Sequence, residues 1–365
     1  MVYDISGVSI SHVFDLEGKP IASAYNIDGS LLTGSAGRYA TFSVLADSYG
    51  AIANGVTPET NAVYYPADGN DVTEVSQMWW ALFAESYGCE LLMNNAYSGS
   101  RVANDASWYA GIEQCYIGRS ENLGDPGLIF ILGGTNDVWN GIPLGEYVYS
   151  DWTDDNKAEF RGALAYLLSS LQQRHDAKII VLCNTLALKT NATTWPTQYQ
   201  YYESMHTVCD HYGVDCVDIS PEAVGNHPTA HGMKQIRTKI MKHLGEEPTI
   251  IKEMSLSLAT PINATWNPSL NASVTDAITQ GKLYKVDMTV DAIGSADAYV
   301  LVSVTGTTTV NFANFSAYAG QTGDMSMVVE ASNYAESDAP TIQISVSGTT
   351  RTATISKFKI YEVEY

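Results

Sequence analysis

The chain has 365 residues, of which 45% are hydrophobic and 16% are charged, and its formal net charge at pH 7 is −21. This length predicts two or three domains, and the apolar fraction is ample for buried cores. The negative charge argues against nucleic acid and anionic membrane surfaces as partners, because both repel an acidic protein. No run approaches the roughly 20 apolar residues of a membrane span, so we expect no membrane insertion.

The first 35 residues contain an internal repeat with a period of 11 residues. Its units begin at Val2, Val13 and Ala24, and each has the pattern of a strand, a glycine turn and a second strand. Units this short bury little apolar surface alone. We expect residues 1–35 to form a small sheet on the next domain or to mediate a homo-oligomer, since such repeats resemble upstream parts of phage tail proteins. No signal-peptide pattern precedes them, and an extracellular or virion-associated location is favoured over others.

Residues 36–250 alternate buried strands with amphipathic helices. The strands are predicted in RYATFSVLAD, CELLMNNA, GLIFILGG, AKIIVLCNT and VDCVDIS, and the main helices in EVSQMWWALFAESYG, DNKAEFRGALAYLLSSLQQRH, YQYYESMHTVCDHYG and HGMKQIRTKIMKHLG. Continuous apolar strands separated by such helices are typical of a parallel sheet covered on both faces. This region is therefore predicted to be a doubly wound, three-layer α/β domain of the flavodoxin-like kind.

Residues 251–365 have a different composition, rich in Thr, Ser, Val, Ala and Asn. Short alternating runs such as KLYKVDMTVDA, AYVLVSVTG and KFKIYEVEY are separated by Gly, Asn and Asp turns. This spacing predicts an all-β, jelly-roll-like sandwich.

Four polar or small residues follow strands of the α/β region in a fixed order. Ser48 ends LADS, Gly99 lies in NNAYSGSRV, Asn136 lies in GGTND and His227 lies in GNHPTAHGM. Singly, each has a structural explanation as a helix cap, a turn or a loop residue. Together and in this order they resemble the SGNH, or GDSL-type, hydrolase family of esterases and lipases, over roughly residues 38–247.

The resemblance implies a serine nucleophile at Ser48, activated by His227 as the general base. It also implies three oxyanion donors, which are the backbone N–H groups of Ser48 and Gly99 and the side-chain amide of Asn136. The chemistry agrees, because a hydroxyl attacks an ester only when a base removes its proton, and the resulting oxyanion needs preorganised donors. No metal or organic cofactor is implied.

Two positions depart from the family pattern. Ala46 stands where the family usually has glycine, and Val224 stands three residues before His227, where the triad acid usually lies. Glu222 is a candidate acid if its loop folds back, Asp218 is a less favoured one, and a backbone carbonyl would leave a Ser48–His227 dyad.

The long loop after Ser48 carries candidate substrate-binding aromatic residues, Tyr64 and Tyr65, and Trp139 follows GGTND. Long loops over a crevice often bind substrate. Trp79 and Trp80 instead fit the core face of a helix.

These features predict a serine esterase that removes short acyl groups, such as acetyl, from a carbohydrate. The appended β domain resembles a carbohydrate-binding module in family members of this build. The alternatives are a lipase or thioesterase for longer acyl chains, and a non-catalytic glycan-binding protein of a phage tail or cell surface. The five cysteines are predicted to be free thiols, with a Cys209–Cys216 disulfide as a less favoured alternative, and their spacing is not typical of a zinc site.

Overall fold

The computed structural model describes residues 2–3, 9–10, 39–108, 110–185, 196–257, 262–265, 271–274, 278–279, 281–293, 300–305, 309–315, 323–331, 341–346 and 352–365. The chain forms two compact units, Met1–Glu246 and Glu247–Tyr365. Most of the 11-residue repeat lies outside the described residues. Within the first 11-residue repeat, β1 (Val2–Tyr3) and β2 (Ser9–Ile10) pair antiparallel.

The first unit is built on a five-stranded parallel sheet, as predicted. Its strands are β3 (Thr41–Ala46), β4 (Glu90–Ala96), β5 (Leu128–Leu132), β6 (Lys178–Asn184) and β7 (Asp215–Ile219). Their order in the sheet is β4-β3-β5-β6-β7, and every neighbouring pair is parallel. All five residues of the central strand β5 are buried. The sheet is therefore covered on both faces, which explains its unbroken apolar runs.

Helices flank this sheet. They are α1 (Trp79–Tyr87), α2 (Tyr116–Arg119), α3 (Thr135–Trp139), α4 (Asp154–Lys157), α5 (Phe160–Arg174), α6 (Pro196–Tyr212) and α7 (Ala230–His243). On one face, α5 and α6 pack with Ile129 and Ile131 of β5. On the other, α1 places Trp79 and Phe83 edge-on against Phe130. Successive β5 side chains point to opposite faces of the sheet, so this strand contributes to the apolar core on each face.

The first helix begins later than its sequence pattern predicts. Residues Val75–Gln77 form a separate 3₁₀ turn, in which the Glu74 and Gln77 side chains cap each other's backbone, and α1 starts only at Trp79. Both Trp79 and Trp80 are buried, as their spacing predicts. Two short strands, β8 (Ala223–Val224) and β9 (His227–Pro228), form an antiparallel pair before α7.

The second unit is antiparallel. It contains β10 (Thr249–Glu253), β11 (Leu256–Ser257), β12 (Ile262–Thr265), β13 (Asn271–Val274), β14 (Leu283–Ile293), β15 (Val300–Thr305), β16 (Thr309–Phe315), β17 (Gly323–Glu330), β18 (Thr341–Val346) and β19 (Thr352–Glu364). One five-stranded sheet has the order β10-β19-β14-β17 with β12 also on β19, and the other has the order β11-β13-β18-β15-β16. Along β14, Tyr284, Val286 and Val290 are buried while Lys285 and Asp287 are half-exposed. This alternation gives the sheet one apolar and one polar face.

Among the helices of the described ranges, none has the length and apolarity needed to cross a membrane.

Candidate active site

Three of the four ordered residues lie at one edge of the parallel sheet. Ser48 directly follows β3, Gly99 follows β4, and Asn136 lies in the first turn of α3 after β5. Because β4, β3 and β5 are neighbours in the sheet, their carboxyl ends place these residues side by side. Three segments that are far apart in the sequence are therefore close together in space.

The fourth residue, His227, contacts Ser48, its predicted partner. Its Nε2 lies 2.9 Å from Ser48 Oγ, across 179 residues of sequence. That distance is within the range for a serine and its general base. His227 lies on the β8–β9 hairpin, so this hairpin brings the imidazole to the Ser48 side chain.

A rigid turn presents Ser48. Ser48–Gly50 form a 3₁₀ turn in which Asp47 accepts a hydrogen bond from the Tyr49 backbone N–H at 3.0 Å. The indole N–H of Trp79 donates to the Tyr49 carbonyl and that of Trp80 to the Gly50 carbonyl, both at 3.1 Å. The two core tryptophans therefore fix the turn through polar contacts as well as packing.

The three groups predicted to be oxyanion donors each keep a hydrogen that is free to bind a ligand. Within the described part of the chain, neither the Ser48 nor the Gly99 backbone N–H donates a hydrogen bond. Gly99 has φ +83°, which favours glycine, so its backbone can turn its amide toward the crevice. Asn136 Nδ2 donates one hydrogen to the Ser100 carbonyl at 3.0 Å, and this leaves its second hydrogen for a ligand.

The family model for GDSL-like lipases and acylhydrolases matches residues 40–244, more than half of the chain. This chain belongs to that family. It is similar to the crystal structure of a putative GDSL-like lipase from Bacteroides ovatus ATCC 8483, with 33% identity, a TM-score of 0.51, and coverage of 56% of this chain and 97% of that chain.

A second putative GDSL-like lipase, from Bacteroides uniformis ATCC 8492, is similar at 33% identity and a TM-score of 0.51, covering 56% of this chain and 95% of that one. No match was found among curated proteins. The family assignment makes the protein an ester hydrolase, and the residues matched by the family model contain the five-stranded parallel sheet.

The candidate triad acid of this GDSL-like hydrolase is not beside its histidine. Glu222 is exposed, and its Oε1 accepts a hydrogen bond from Thr229 Oγ1 at 3.1 Å. Asp218 accepts from Tyr202 and pairs with His206 at 2.9 Å. Among the described residues, no carboxylate contacts a ring nitrogen of His227, and Nδ1 faces the Gly225 carbonyl at 3.4 Å. The geometry is that of a serine–histidine dyad.

Aromatic rings enclose His227. The Tyr64 ring stacks on the imidazole with a centroid separation of 3.5 Å and an interplanar angle of 6°. Tyr49 packs at a tilt 5.6 Å away, and Tyr65 packs edge-on at 6.3 Å. Imidazole orientation, which a carboxylate sets in a triad, is set here by stacking and by one carbonyl.

The predicted substrate-binding role of Tyr65 is wrong. Its side chain is 0% exposed, and its hydroxyl donates to the Pro228 carbonyl at 2.9 Å. Tyr65 therefore stabilises the hairpin that carries His227. Asn70 Nδ2 donates to the same carbonyl at 3.1 Å. Tyr64 keeps partial exposure, and Trp139 is 46% exposed at the end of α3. Of the three predicted rings, Tyr64 and Trp139 remain candidates for substrate contact.

Two buried residues that the sequence did not reveal support the oxyanion donors. Asp137 accepts from the backbone N–H groups of Val102 and Ala103 at 2.9 and 3.0 Å, and so holds the loop that carries Gly99. Arg119 is 3% exposed and donates to the Ala46 carbonyl at 3.1 Å and to Ser100 Oγ at 2.7 Å. Burial raises the pKa of Asp137 to about 6, against the backbone hydrogen bonds that lower it.

Replacing Glu222 with alanine is expected to leave kcat nearly unchanged, because its carboxylate contacts Thr229 and not His227. Loss of a true triad acid would instead lower kcat by roughly 10⁴-fold. Steady-state hydrolysis of p-nitrophenyl acetate measures the difference. Glu85→Ala, an exposed glutamate on α1, is the matched control. A fall of orders of magnitude confined to Glu222→Ala would restore it as the third catalytic residue.

Proposed function

We propose that this hydrolase removes short acyl groups, most of all acetyl, from a carbohydrate through an acyl-enzyme on Ser48. The observation that carries the catalytic part is the 2.9 Å contact between Ser48 Oγ and His227 Nε2 beside unengaged backbone donors. Acyl transfer by such a pair needs no metal or cofactor.

In the proposed reaction, His227 takes the Ser48 proton as Oγ attacks the ester carbonyl carbon. The carbonyl oxygen becomes an oxyanion and accepts hydrogen bonds from the N–H groups of Ser48 and Gly99 and from Asn136. The imidazolium then protonates the departing alcohol oxygen as the C–O bond breaks. Water, activated by the neutral imidazole, releases the acid and restores Ser48.

The imidazolium forms without a carboxylate partner in this proposal. The face of Tyr64 lies parallel to the ring, and the negative face of an aromatic ring favours a cation by about 0.5–2 kcal/mol. The Gly225 carbonyl accepts from Nδ1. Tyr64 is therefore proposed to act on catalysis through His227 as well as to border the substrate.

Two half-exposed rings support a carbohydrate as the alcohol part of the ester. Trp139 lies three residues after Asn136 in the sequence, and the Tyr64 ring stacks on His227. Each ring is therefore near a residue that takes part in the proposed reaction. Rings of this kind offer apolar faces to the C–H surface of a sugar while remaining partly wet.

A longer acyl chain is the second candidate, favoured by exposed apolar side chains next to the site. Val224 is 50% exposed and pairs with His227 in the β8–β9 hairpin, and Val63, next to Tyr64, is 40% exposed. Rates on p-nitrophenyl esters from acetyl to octanoyl separate the two functions. A preference for octanoyl would contradict the deacetylase proposal.

The decisive assay is acetate release from acetylated glycans by the wild-type chain. A fluorophosphonate probe that labels Ser48 in the folded protein supports an enzyme acting on esters. No labelling together with glycan binding would favour the non-catalytic adhesin. Labelling without acetate release would keep the esterase and move the substrate away from acetylated carbohydrate.

The second unit is proposed to bind glycan on the polar face of its β14–β17–β19 sheet. A hollow of about 360 Å³ there is lined by Asp287, Thr289, Asp324, Ser326 and Tyr361, among others. Three lysines and Met288 complete the lining, and its hydroxyl, carboxylate and ammonium groups beside one aromatic ring can hydrogen-bond and stack on a sugar. Retardation of the full chain in glycan-containing gels, lost in Tyr361→Ala but not in Tyr147→Ala, would support this role.

A homo-oligomer through residues 1–35 also remains a proposal, which light scattering of the intact chain tests.

The pH profile distinguishes a dyad from a triad. Burial lowers the pKa of the His227 imidazole below its ordinary value of 6.5, while the Gly225 carbonyl acts in the opposite direction. The base must be neutral, so kcat/KM is expected to rise with pH through a pKa below that of an exposed histidine. The protein should therefore stay active in mildly acidic buffer. A carboxylate partner would raise the pKa, so an acid limb above 6.5 would contradict the dyad.

A further inference from the structure

A cluster of sulfur and nitrogen atoms lies at the β6–β7 edge of the α/β domain. It consists of Cys183 at the end of β6, His206 on α6 and Cys216 on β7, and their ligand atoms all lie within 4.8 Å of one another. Cys209, three residues after His206 on α6, is buried in the same core cluster as Cys183, and Cys216 packs against that cluster. We call these four residues the thiol–imidazole cluster. None of them takes part in the ester chemistry proposed above.

The strand register explains why residues so distant in sequence meet. In the parallel β6–β7 pair, Val181 lies opposite Cys216 and Cys183 lies opposite Asp218. Because side chains alternate along a strand, Cys183, Cys216 and Asp218 point to the same face of the sheet. Helix α6 covers this part of the sheet, and residues 206 and 209 lie on one side of it at a spacing of three.

We propose that Cys183, His206 and Cys216 form a zinc-binding site, with Cys209 as the available fourth ligand. Zinc prefers tetrahedral sets of thiolate and imidazole ligands, and three Cys with one His is a common structural set. Tetrahedral ligand atoms about 2.3 Å from the metal are separated by roughly 3.8 Å, so the observed spacing needs only small side-chain movements.

The surroundings of His206 match those of a metal-bound histidine. Its Nε2 lies 2.9 Å from Asp218 Oδ1, and Tyr202 donates to Asp218 Oδ2 at 2.9 Å. A ligating histidine commonly has such a carboxylate partner, which fixes the ring and increases its basicity. Cys183 is 0% exposed, whereas the side chains of His206 and Asp218 are 31% and 38% exposed. An ion thus has a route to the cluster from the solvent.

A disulfide is a poorer explanation of the same residues. All five cysteines are free thiols. Cys183 and Cys216 are diagonal rather than opposite in the register, which places their Cα atoms about 8 Å apart from strand rise and spacing. Disulfides require about 4.4–6.8 Å. The strands would have to move for these two thiols to join, whereas a bridging ion needs no such movement.

A bound ion would tie the end of β6 to α6 and β7. The residue after Cys183 is Asn184, whose Nδ2 donates to Tyr49 Oη at 3.0 Å and to Thr135 Oγ1 at 3.2 Å. Both partners lie beside candidate catalytic residues, Ser48 and Asn136. The expected role of zinc is therefore structural, with thermal stability as its main readout and esterase activity as a secondary one.

The test uses the full-length chain, stripped of metal by a chelator and then titrated with Co²⁺ under reducing conditions. We expect one cobalt per chain, with a thiolate-to-cobalt charge-transfer band and the visible bands of a tetrahedral site. Zn²⁺ should displace the cobalt and raise the Tm. Cys216→Ser should abolish the charge-transfer band, and Asp218→Asn should weaken binding about 10- to 100-fold. Cys115→Ser, a buried cysteine outside the cluster, should behave like wild type.

The far-UV circular dichroism of each variant without added metal checks that it is folded, independently of esterase activity. If Cys216→Ser does not fold, His206→Gln, at a half-exposed position, takes its place. A wild-type chain that gives no charge-transfer band and no Tm shift with Zn²⁺ would overturn the proposal. So would an equal loss of binding in Cys115→Ser, or a Cys183–Cys216 disulfide found by mass spectrometry of the freshly purified protein.

Discussion

Replacing Ser48 with alanine is expected to lower kcat for p-nitrophenyl acetate by at least about 10⁴-fold. In the proposed mechanism, the Ser48 hydroxyl is the group that forms the covalent bond to the acyl carbon. Its removal leaves only binding and the oxyanion donors to accelerate attack by water. Labelling by a fluorophosphonate probe should disappear with the hydroxyl, and intact-mass spectrometry of the labelled protein measures it.

Ser98→Ala is the matched control for Ser48→Ala. Ser98 precedes Gly99 at the same edge of the sheet, and it is partly exposed whereas Ser100 is buried. We expect the Ser98 variant to be labelled and to turn over substrate at close to the wild-type rate. If Ser48→Ala is still labelled and Ser98→Ala is not, our proposal has placed the nucleophile at the wrong strand end.

Replacing Asn136 with alanine is expected to lower kcat by about 10²–10³-fold with a much smaller change in KM. Its amide is the one oxyanion donor of the three that mutation can remove, since the other two are backbone groups. The charge that it stabilises exists only in the transition state and intermediate, which is why the loss falls on kcat. Parallel measurement of kcat and KM on acetyl esters tests this.

Asn140→Ala is the control for Asn136→Ala. Asn140 is an exposed amide four residues later, and its Nδ2 donates to the Asn136 carbonyl at 2.7 Å. It therefore shares the local turn without facing the ester. A similar loss of kcat in both variants would indicate that the turn, and not the Asn136 amide, carries the effect. A rise in KM alone for Asn136→Ala would make this residue a ground-state binding group.

The aromatic loop after Ser48 makes contacts that differ from the predicted ones. We expected Tyr64 and Tyr65 to face the substrate, because long loops over a crevice often do. The structure instead directs Tyr65 into the core beneath Pro228 and stacks Tyr64 on His227. With Val224 in the usual acid position, these contacts hold the imidazole. We propose that this loop offsets part of the missing carboxylate.

The sequence by itself determined the α/β class, the five parallel strands and the order of Ser48, Gly99, Asn136 and His227 along them. These are local properties, because apolar runs of strand length define the sheet, and Ser48, Gly99 and Asn136 follow such runs within a few residues, while His227 lies on the hairpin beyond the last of them. Parallel strands then bring their carboxyl ends to one edge without further information.

Only the tertiary structure decided which groups surround His227 and which cysteines meet. Glu222 turns to Thr229, Arg119 is buried beneath the ends of two strands, and Cys183 meets Cys216 through a register that places Val181 opposite Cys216. Each outcome depends on the path of a loop or on the pairing of strands far apart in sequence. Local patterns carry no signal for such contacts, because they are set by the packing of the whole domain.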